Sequence, residues 1–164
     1  MAAPARRPGR SAFRLSQLGT VATGRFGDRV AELGLSAPEA GALRLLDGDA
    51  GISQRTLATR LRAAPSRVVA LIDSLEAKGL VVRRRSRSDR RNHELHLTET
   101  GQDMLGRLRA VAEAHEAEIV RPLTAAERDR LATLLDKLAR AHGLDARVHP
   151  GYSAAPPGAG TPPD

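Results

Sequence analysis

Residues 81–97 read VVRRRSRSDRRNHELHL, and six of the seventeen are arginine: Arg83, Arg84, Arg85, Arg87, Arg90 and Arg91. The flanks LVVR and HELHL alternate apolar with polar residues as strands do, and SRSDRRN between them is turn chemistry. The arginines therefore lie on a β-hairpin and its tip, a shape suited to reaching into a nucleic-acid groove. Immediately upstream, Ile52 to Lys78 reads as two short helices joined by a tight turn. Together the two patterns define a winged helix-turn-helix and make DNA binding the first expectation.

Composition narrows the choice of partner. The 164-residue chain carries a formal charge of +7 and has a pI near 11.2, which favours a polyanion, either nucleic acid or an anionic membrane surface. The membrane is the weaker choice, because no apolar run approaches the ~18–20 residues needed to span a bilayer. The stretch MAAPARRPGRSAF has no apolar signal core, so a cytoplasmic location is expected. With no cysteine, disulfides, thiolate metal sites and thiol redox sensing are excluded. Only Phe13, Phe26 and Tyr152 are aromatic, so the core must be built from Leu, Val and Ala. No P-loop, Gly-x-Ser-x-Gly elbow or His-Glu-x-x-His motif is present, and neither enzymatic activity nor a cofactor or metal is expected.

Residues 1–11 form a basic tail expected to be flexible, and residues 144–164 are Pro-, Gly- and Ala-rich, a composition expected to stay disordered. Between the tails the apolar period is mostly helical. Leu15, Leu18, Ala22, Phe26, Val30 and Leu33 recur at steps of three and four on a first helix, which Gly34 ends. Ser36 and Glu39 have the spacing of a capping box for a second helix, which reaches about Leu46 before DGDAG breaks it. Ser53 caps the third helix, Ile52 and Leu57 suit a hydrophobic staple, and Pro65 stands at the first turn of the fourth. Val68, Leu71, Ile72 and Leu75 make the buried stripe of that fourth helix, and Gly79 stops it. After the hairpin, Thr98 caps a long fifth helix to about Val120. Thr124 and Glu127 then open a last helix carrying Leu131, Leu134, Leu135 and Leu138. The order α-α-β-α-α-β-β-α-α is mainly α with a small β-hairpin wing, an α+β winged helix-turn-helix lobe joined to further helices.

Several side chains stand out as candidate contacts. The fourth helix carries Ser66, Arg67, Ala70 and Ser74 opposite its apolar stripe, small or basic groups that fit against base edges. Arg67 in its first turn would pair either with a guanine or with a phosphate. Ser53, Gln54 and Arg55 begin the third helix, whose N-terminal amides suit a phosphate, and ordinary capping is compatible with that role. Among the hairpin arginines, Arg87 and Arg91 near the tip are the better groove ligands. Arg85 and Arg90 lie beside them, and Arg83 is expected to be structural. His115 lies on the apolar stripe of the fifth helix near Glu116 and Glu118. It reads either as a zinc ligand or effector contact, or more simply as a hydrogen-bonded interface histidine. His93 and His96 are surface residues or wing supports.

Four stretches and the element order resemble the MarR family of bacterial transcriptional regulators: LGLSAPEAGALRLL (Leu33–Leu46), SQRTLATRL (Ser53–Leu61), RVVALIDSLEAKGLVVR (Arg67–Arg83) and DRRNHELHLTETG (Asp89–Gly101). The resemblance covers roughly Phe13 to His142. It implies a homodimer held by the first and the last two helices. Residues 12–143 then divide into dimerisation segments 12–35 and 98–143 around a DNA-binding lobe, 36–97. It also implies a sequence-specific regulator, most simply a repressor of its own or a neighbouring promoter, whose two lobes grip a pseudo-palindromic double-stranded operator. The fourth helix would enter the major groove and the wing the minor groove, where Arg91 inserts and Asp89 orients it. Many members bind small, often aromatic anions in a cleft between the dimer helices and the DNA-binding lobe, and release DNA as a result. Here Phe13, Arg25, Phe26 and Arg29, with His115, are the candidates for such a cleft.

Two positions depart from the family pattern. Arg62 and Ala64 stand where the family often has Gly then Ser, which leaves the fourth helix without a side-chain cap. Ala70 stands where many relatives carry a longer polar or basic side chain, which shifts base reading towards Ser66 and Arg67. The alternative to a specific regulator is a non-specific or architectural winged-helix protein for DNA or RNA without effector control. A basic interaction protein without nucleic acid ranks third.

Overall fold

The structure, a computed structural model, describes residues 11–49, 51–86, 93–144 and 149. Helix α1 (Ser11–Glu32) ends where Gly34 takes φ 73°, letting the amides of Gly34 and Leu35 turn back onto Ala31 and Val30. Helix α2 (Ala37–Gly48) opens on the expected capping box: Ser36 Oγ accepts from the Glu39 amide, and Glu39 accepts from the Ser36 amide at 2.6 Å. It runs two residues past Leu46. Ion pairs hold this last turn, Arg109 to Asp47 at 2.6 Å and Arg60 to Asp49.

Strand β1 (Ile52–Ser53) leads into α3 (Gln54–Leu61), and α4 (Pro65–Ala77) follows after a short turn. Strands β2 (Val81–Arg85) and β3 (His93–Leu97) pair antiparallel, Val81 opposite Leu97 and Arg85 opposite His93. β1 adds to the other edge of β3, so the sheet order is β1-β3-β2. Helices α5 (Glu99–Ile119) and α6 (Ala125–Ala141) complete the described chain in the element order the sequence predicts.

The core is aliphatic, as the scarcity of aromatic residues requires. Leu43 and Leu46 of α2, Leu57 of α3, Ile72 and Leu75 of α4 and Leu95 of β3 are fully buried. Val30 of α1 and Leu105 and Leu108 of α5 close it from the other side. This core sits inside the helix-turn-helix lobe and at its junction with α1 and α5.

One glycine fixes how the wing meets α5. The Thr98 amide donates to the Leu80 carbonyl at 3.1 Å, and its hydroxyl donates to the Gly79 carbonyl at 2.6 Å. The same hydroxyl oxygen accepts from the Gly101 amide at 2.9 Å. The first turn of α5 is thereby pressed onto the end of the α4–β2 connection. A Cβ at position 101 would lie 2.0 Å from the Leu80 carbonyl oxygen, so only glycine fits.

The far ends of the molecule look different. α6 has no buried residue, and Leu131, Leu134, Leu135 and Leu138 all face outward. Phe13, Leu15, Leu18 and Val21 on the first half of α1 are likewise exposed. Among the described residues no helix is long and apolar enough to cross a membrane.

Candidate nucleic-acid interface and effector cleft

Helix α4 presents two faces because Val68, Ile72 and Leu75, at steps of four and three, anchor it in the core. Ser66, Arg67 and Ala70 consequently stand exposed on its outer side. Ser74, predicted to share that side, turns instead towards α2 and donates to Glu39 Oε1 at 2.8 Å. The helix begins at Pro65 with Ala64 as an N-cap that offers no side-chain bond. Before it, Arg62 holds the left-handed conformation at φ 50°, a region that glycine enters without strain.

Helix α3 packs against α4. Ser53 caps it, accepting from the Thr56 amide at 3.1 Å, while Arg55 is exposed. Gln54 is half-buried, and its Nε2 has no hydrogen-bond partner among the described residues. The wing is bolted to α4 through Arg83, which pairs with Glu76 and, at 2.6 Å, with Asp73. Its amide also donates to Glu76 at 2.9 Å. Arg83 is thus spent inside the protein, as its predicted structural role requires. Arg84 and Arg85 are exposed on β2, opposite Glu94 and His93. Arg87, Asp89, Arg90 and Arg91 lie outside the described residues.

Sequence reasoning missed the second role of Glu39 and the whole role of Lys78. The Lys78 ammonium donates to Glu39 Oε1 at 2.6 Å and to the Gly34 carbonyl at 2.8 Å. Burial pushes the Glu39 carboxyl up, but Lys78, the Ser36 amide, Ser74 and the Ser36 hydroxyl together outweigh it and hold the group below the usual glutamate range. The capping-box spacing pointed to Ser36 as a partner; Ser74 and Lys78 lie 35 and 39 residues away in sequence.

On the opposite side of the core, α1, α2 and α5 form a cavity of about 260 Å³ lined by Phe26, Ala40, Arg44, Leu108, Arg109, Ala112 and Glu113. Phe26 packs on His115 with ring centroids 5.5 Å apart, and His115 Nδ1 is buried without a hydrogen-bond partner among the described residues. Arg25 and Arg29 do not line this cavity; both pair with Glu118, Arg25 at 2.9 Å. Phe13 lies thirteen residues before Phe26 on the same helix, about 20 Å away at 1.5 Å per residue, and is outside the cavity as well. No group of three or more His, Asp or Glu among the described residues is placed to hold a metal ion.

A helix-turn-helix followed by a sheet ribbon defines the winged-helix class of protein. Comparison with known proteins then gives the family: residues 33–92 match the MarR family. A putative transcriptional regulatory protein for the hcr operon of Thauera aromatica is 35% identical over 100 residues, covering 61% of this chain and 60% of that protein's length. The HTH-type transcriptional repressor Rv2887 of Mycobacterium tuberculosis is 30% identical over 126 residues, 77% of this chain and 91% of the relative. The crystal structure of Rv2887 in complex with p-aminosalicylic acid superposes with a TM-score of 0.65 at 28% identity, over 80% of this chain and 99% of that one.

The repressor CouR bound to a 23-mer DNA duplex has a TM-score of 0.69 at 33% identity, over 82% of this chain and 98% of that one. CouR from Rhodococcus jostii RHA1 bound to p-coumaroyl-CoA has a TM-score of 0.64 at 29% identity, over 78% and 90% of the two chains. The chain belongs to the MarR family of transcriptional regulators.

Proposed function

We propose that the chain is a homodimeric, sequence-specific repressor that acts in the cytoplasm without catalytic activity and binds a pseudo-palindromic operator in its own or a neighbouring promoter. The observation that carries this reading is the outer face of α4. Its Ser66, Arg67 and Ala70 are exposed, as are Arg55 in the first turn of the capped helix α3 and Arg84 and Arg85 on β2. A recognition helix of this build enters the major groove, while the α3 amides and wing arginines take phosphates and the neighbouring minor groove. Arg87, Asp89, Arg90 and Arg91 are assigned to the wing tip on sequence grounds, with Arg91 in the minor groove.

Two copies would join through residues 12–35 and 98–143, leaving 36–97 as the lobe that reads DNA. The outward leucines of α6 and the apolar first half of α1 supply the surface for that pairing. The cavity between α1, α2 and α5 is the effector cleft in this reading. Phe26 and Leu108 form an apolar wall, and Arg44 supplies a cation for an acid group, with Arg109 beside it paired to Asp47. Small aromatic acids are the ligand class this lining favours, and His115 backs Phe26.

Footprinting on the upstream region with unrelated duplex as competitor tests the reading. A protected near-palindrome is expected, with affinity falling roughly 10³–10⁵-fold between 50 and 200 mM salt if the two lobes neutralise ~6–10 phosphates. Arg91→Ala should weaken this binding strongly and leave the dimer folded. Equal protection along the whole fragment would replace the repressor with the architectural alternative. Release of the operator by an aromatic carboxylate, abolished in Arg44→Ala, would support the cleft.

A further inference from the structure

Lys78 stands just past the last residue of α4, yet its ammonium reaches two other elements. It donates to the carbonyl of Gly34, the left-handed stop of α1, and to Glu39 in the first turn of α2. Ser74, one turn earlier on α4, donates to the same Glu39 oxygen. Two donors from α4 and its C-cap therefore meet on one α2 carboxylate that is only 4% exposed, and the Lys78 ammonium carries the bridge on to the end of α1. The buried cores of α2 and α4 pack together, and the polar bridge ties the two helices at their edge. A cleft of about 420 Å³ opens there between Pro38 on one side and Ala63 and Leu71 on the other. The polar bridge spans that gap where side chains do not fill it.

We infer that Lys78, Glu39 and Ser74 form a latch that sets the angle of the recognition helix α4 against the dimerisation helix α1. Building on the dimeric DNA-binding function proposed above, the latch makes Lys78 and Glu39 positioning residues for operator spacing. Each touches protein and not DNA, and together they hold two recognition helices at the separation one operator requires. Half-sites on one duplex face recur about every 34–36 Å, and one inserted base pair turns one half-site by about 35° against the other. Two helices held at a fixed angle discriminate against that insertion, whereas loosened helices follow it.

The test uses full-length protein and a set of operators with half-site spacing changed by one base pair in either direction. Lys78→Met keeps the side-chain stem and removes the bridge. It should lose about tenfold in affinity at the preferred spacing and most of the discrimination between spacings, with an unchanged salt slope. Lys78→Arg, which can still reach both acceptors, should restore discrimination, and Ser74→Ala should lose part of it.

A second readout needs no DNA. The chain lacks cysteine, so a nitroxide on Val69→Cys, an exposed site on α4, reports the distance between the two recognition helices. That distribution should be narrow in the parent and broad with Lys78→Met. Unchanged discrimination and an unchanged distribution would overturn the latch. So would a uniform loss of affinity with the salt slope reduced by about 0.9, the mark of a lost phosphate contact. A parent protein that binds every duplex alike would overturn the regulatory reading instead, and the nitroxide distances would still decide the latch.

Discussion

Glu39 carries more bonds than its spacing in sequence announces. Its folded-state pKa lies below the unfolded one. Its contribution to stability is therefore complete above the unfolded value, about 4.3, and is lost as pH falls through the folded value. Glu39→Gln should cost about 1.5–3 kcal/mol at neutral pH, the range for hydrogen bonds to a charged group. The gap between the two proteins should narrow in acid, as chemical unfolding at pH 7 and pH 3 would measure. Gly101→Ala tests a purely steric constraint. With a Cβ 2.0 Å from a backbone oxygen, it should destabilise by about 3 kcal/mol or more and shift the wing against α5. A thermal midpoint equal to the parent's would contradict that geometry. Sequence alone revealed Glu39 as a cap and Gly101 as part of a family motif. It did not reveal the close approach to Leu80, because that depends on three-dimensional packing between segments more than twenty residues apart.

At the level of helices and strands, local chemistry was enough. Gly34 and Gly79 end their helices with positive φ, and Ser36, Ser53, Thr98 and Thr124 all cap as their spacing predicts. The two departures in the turn before α4 also have physical substance: Arg62 bears a left-handed φ and Ala64 leaves the cap empty. Arg62→Gly with Ala64→Ser should therefore raise stability by about 1 kcal/mol, mostly through the restored cap, and a thermal melt will measure it. Ser74 escaped the sequence pattern, since helical periodicity places it near the α4 outer face but cannot say that a buried carboxylate waits on α2. The effector candidates divide for a similar reason. Phe26 and His115 meet, while Arg25 and Arg29 turn to Glu118. Arg44 and Arg109, which line the cavity, carry no motif to mark them.

Across the whole molecule the unfinished surface is at α6 and the start of α1. In the amphipathic pattern, Leu131, Leu134, Leu135 and Leu138 look like core residues; among the described residues all four stand exposed. The apolar period legible in sequence cannot distinguish burial within a chain from burial between chains. Leu134→Glu, with Leu138→Glu, should convert the protein to a monomer by sedimentation and abolish operator binding while the lobe remains folded. A dimer that survives both changes would relocate the pairing surface.

The bareness of α6 has a further result. A 17-residue helix without one buried side chain is little longer than the ~12–15 residues at which lone helices become marginal in water. With the leucine stripe as the pairing surface, ordering of this helix and association of two chains are one equilibrium, governed by mass action. Ellipticity per residue should then fall on dilution, and a scarce protein would be partly unwound before it met any promoter. Abundance itself becomes a gauge, and the fewer copies a cell makes, the smaller the fraction of them that is competent.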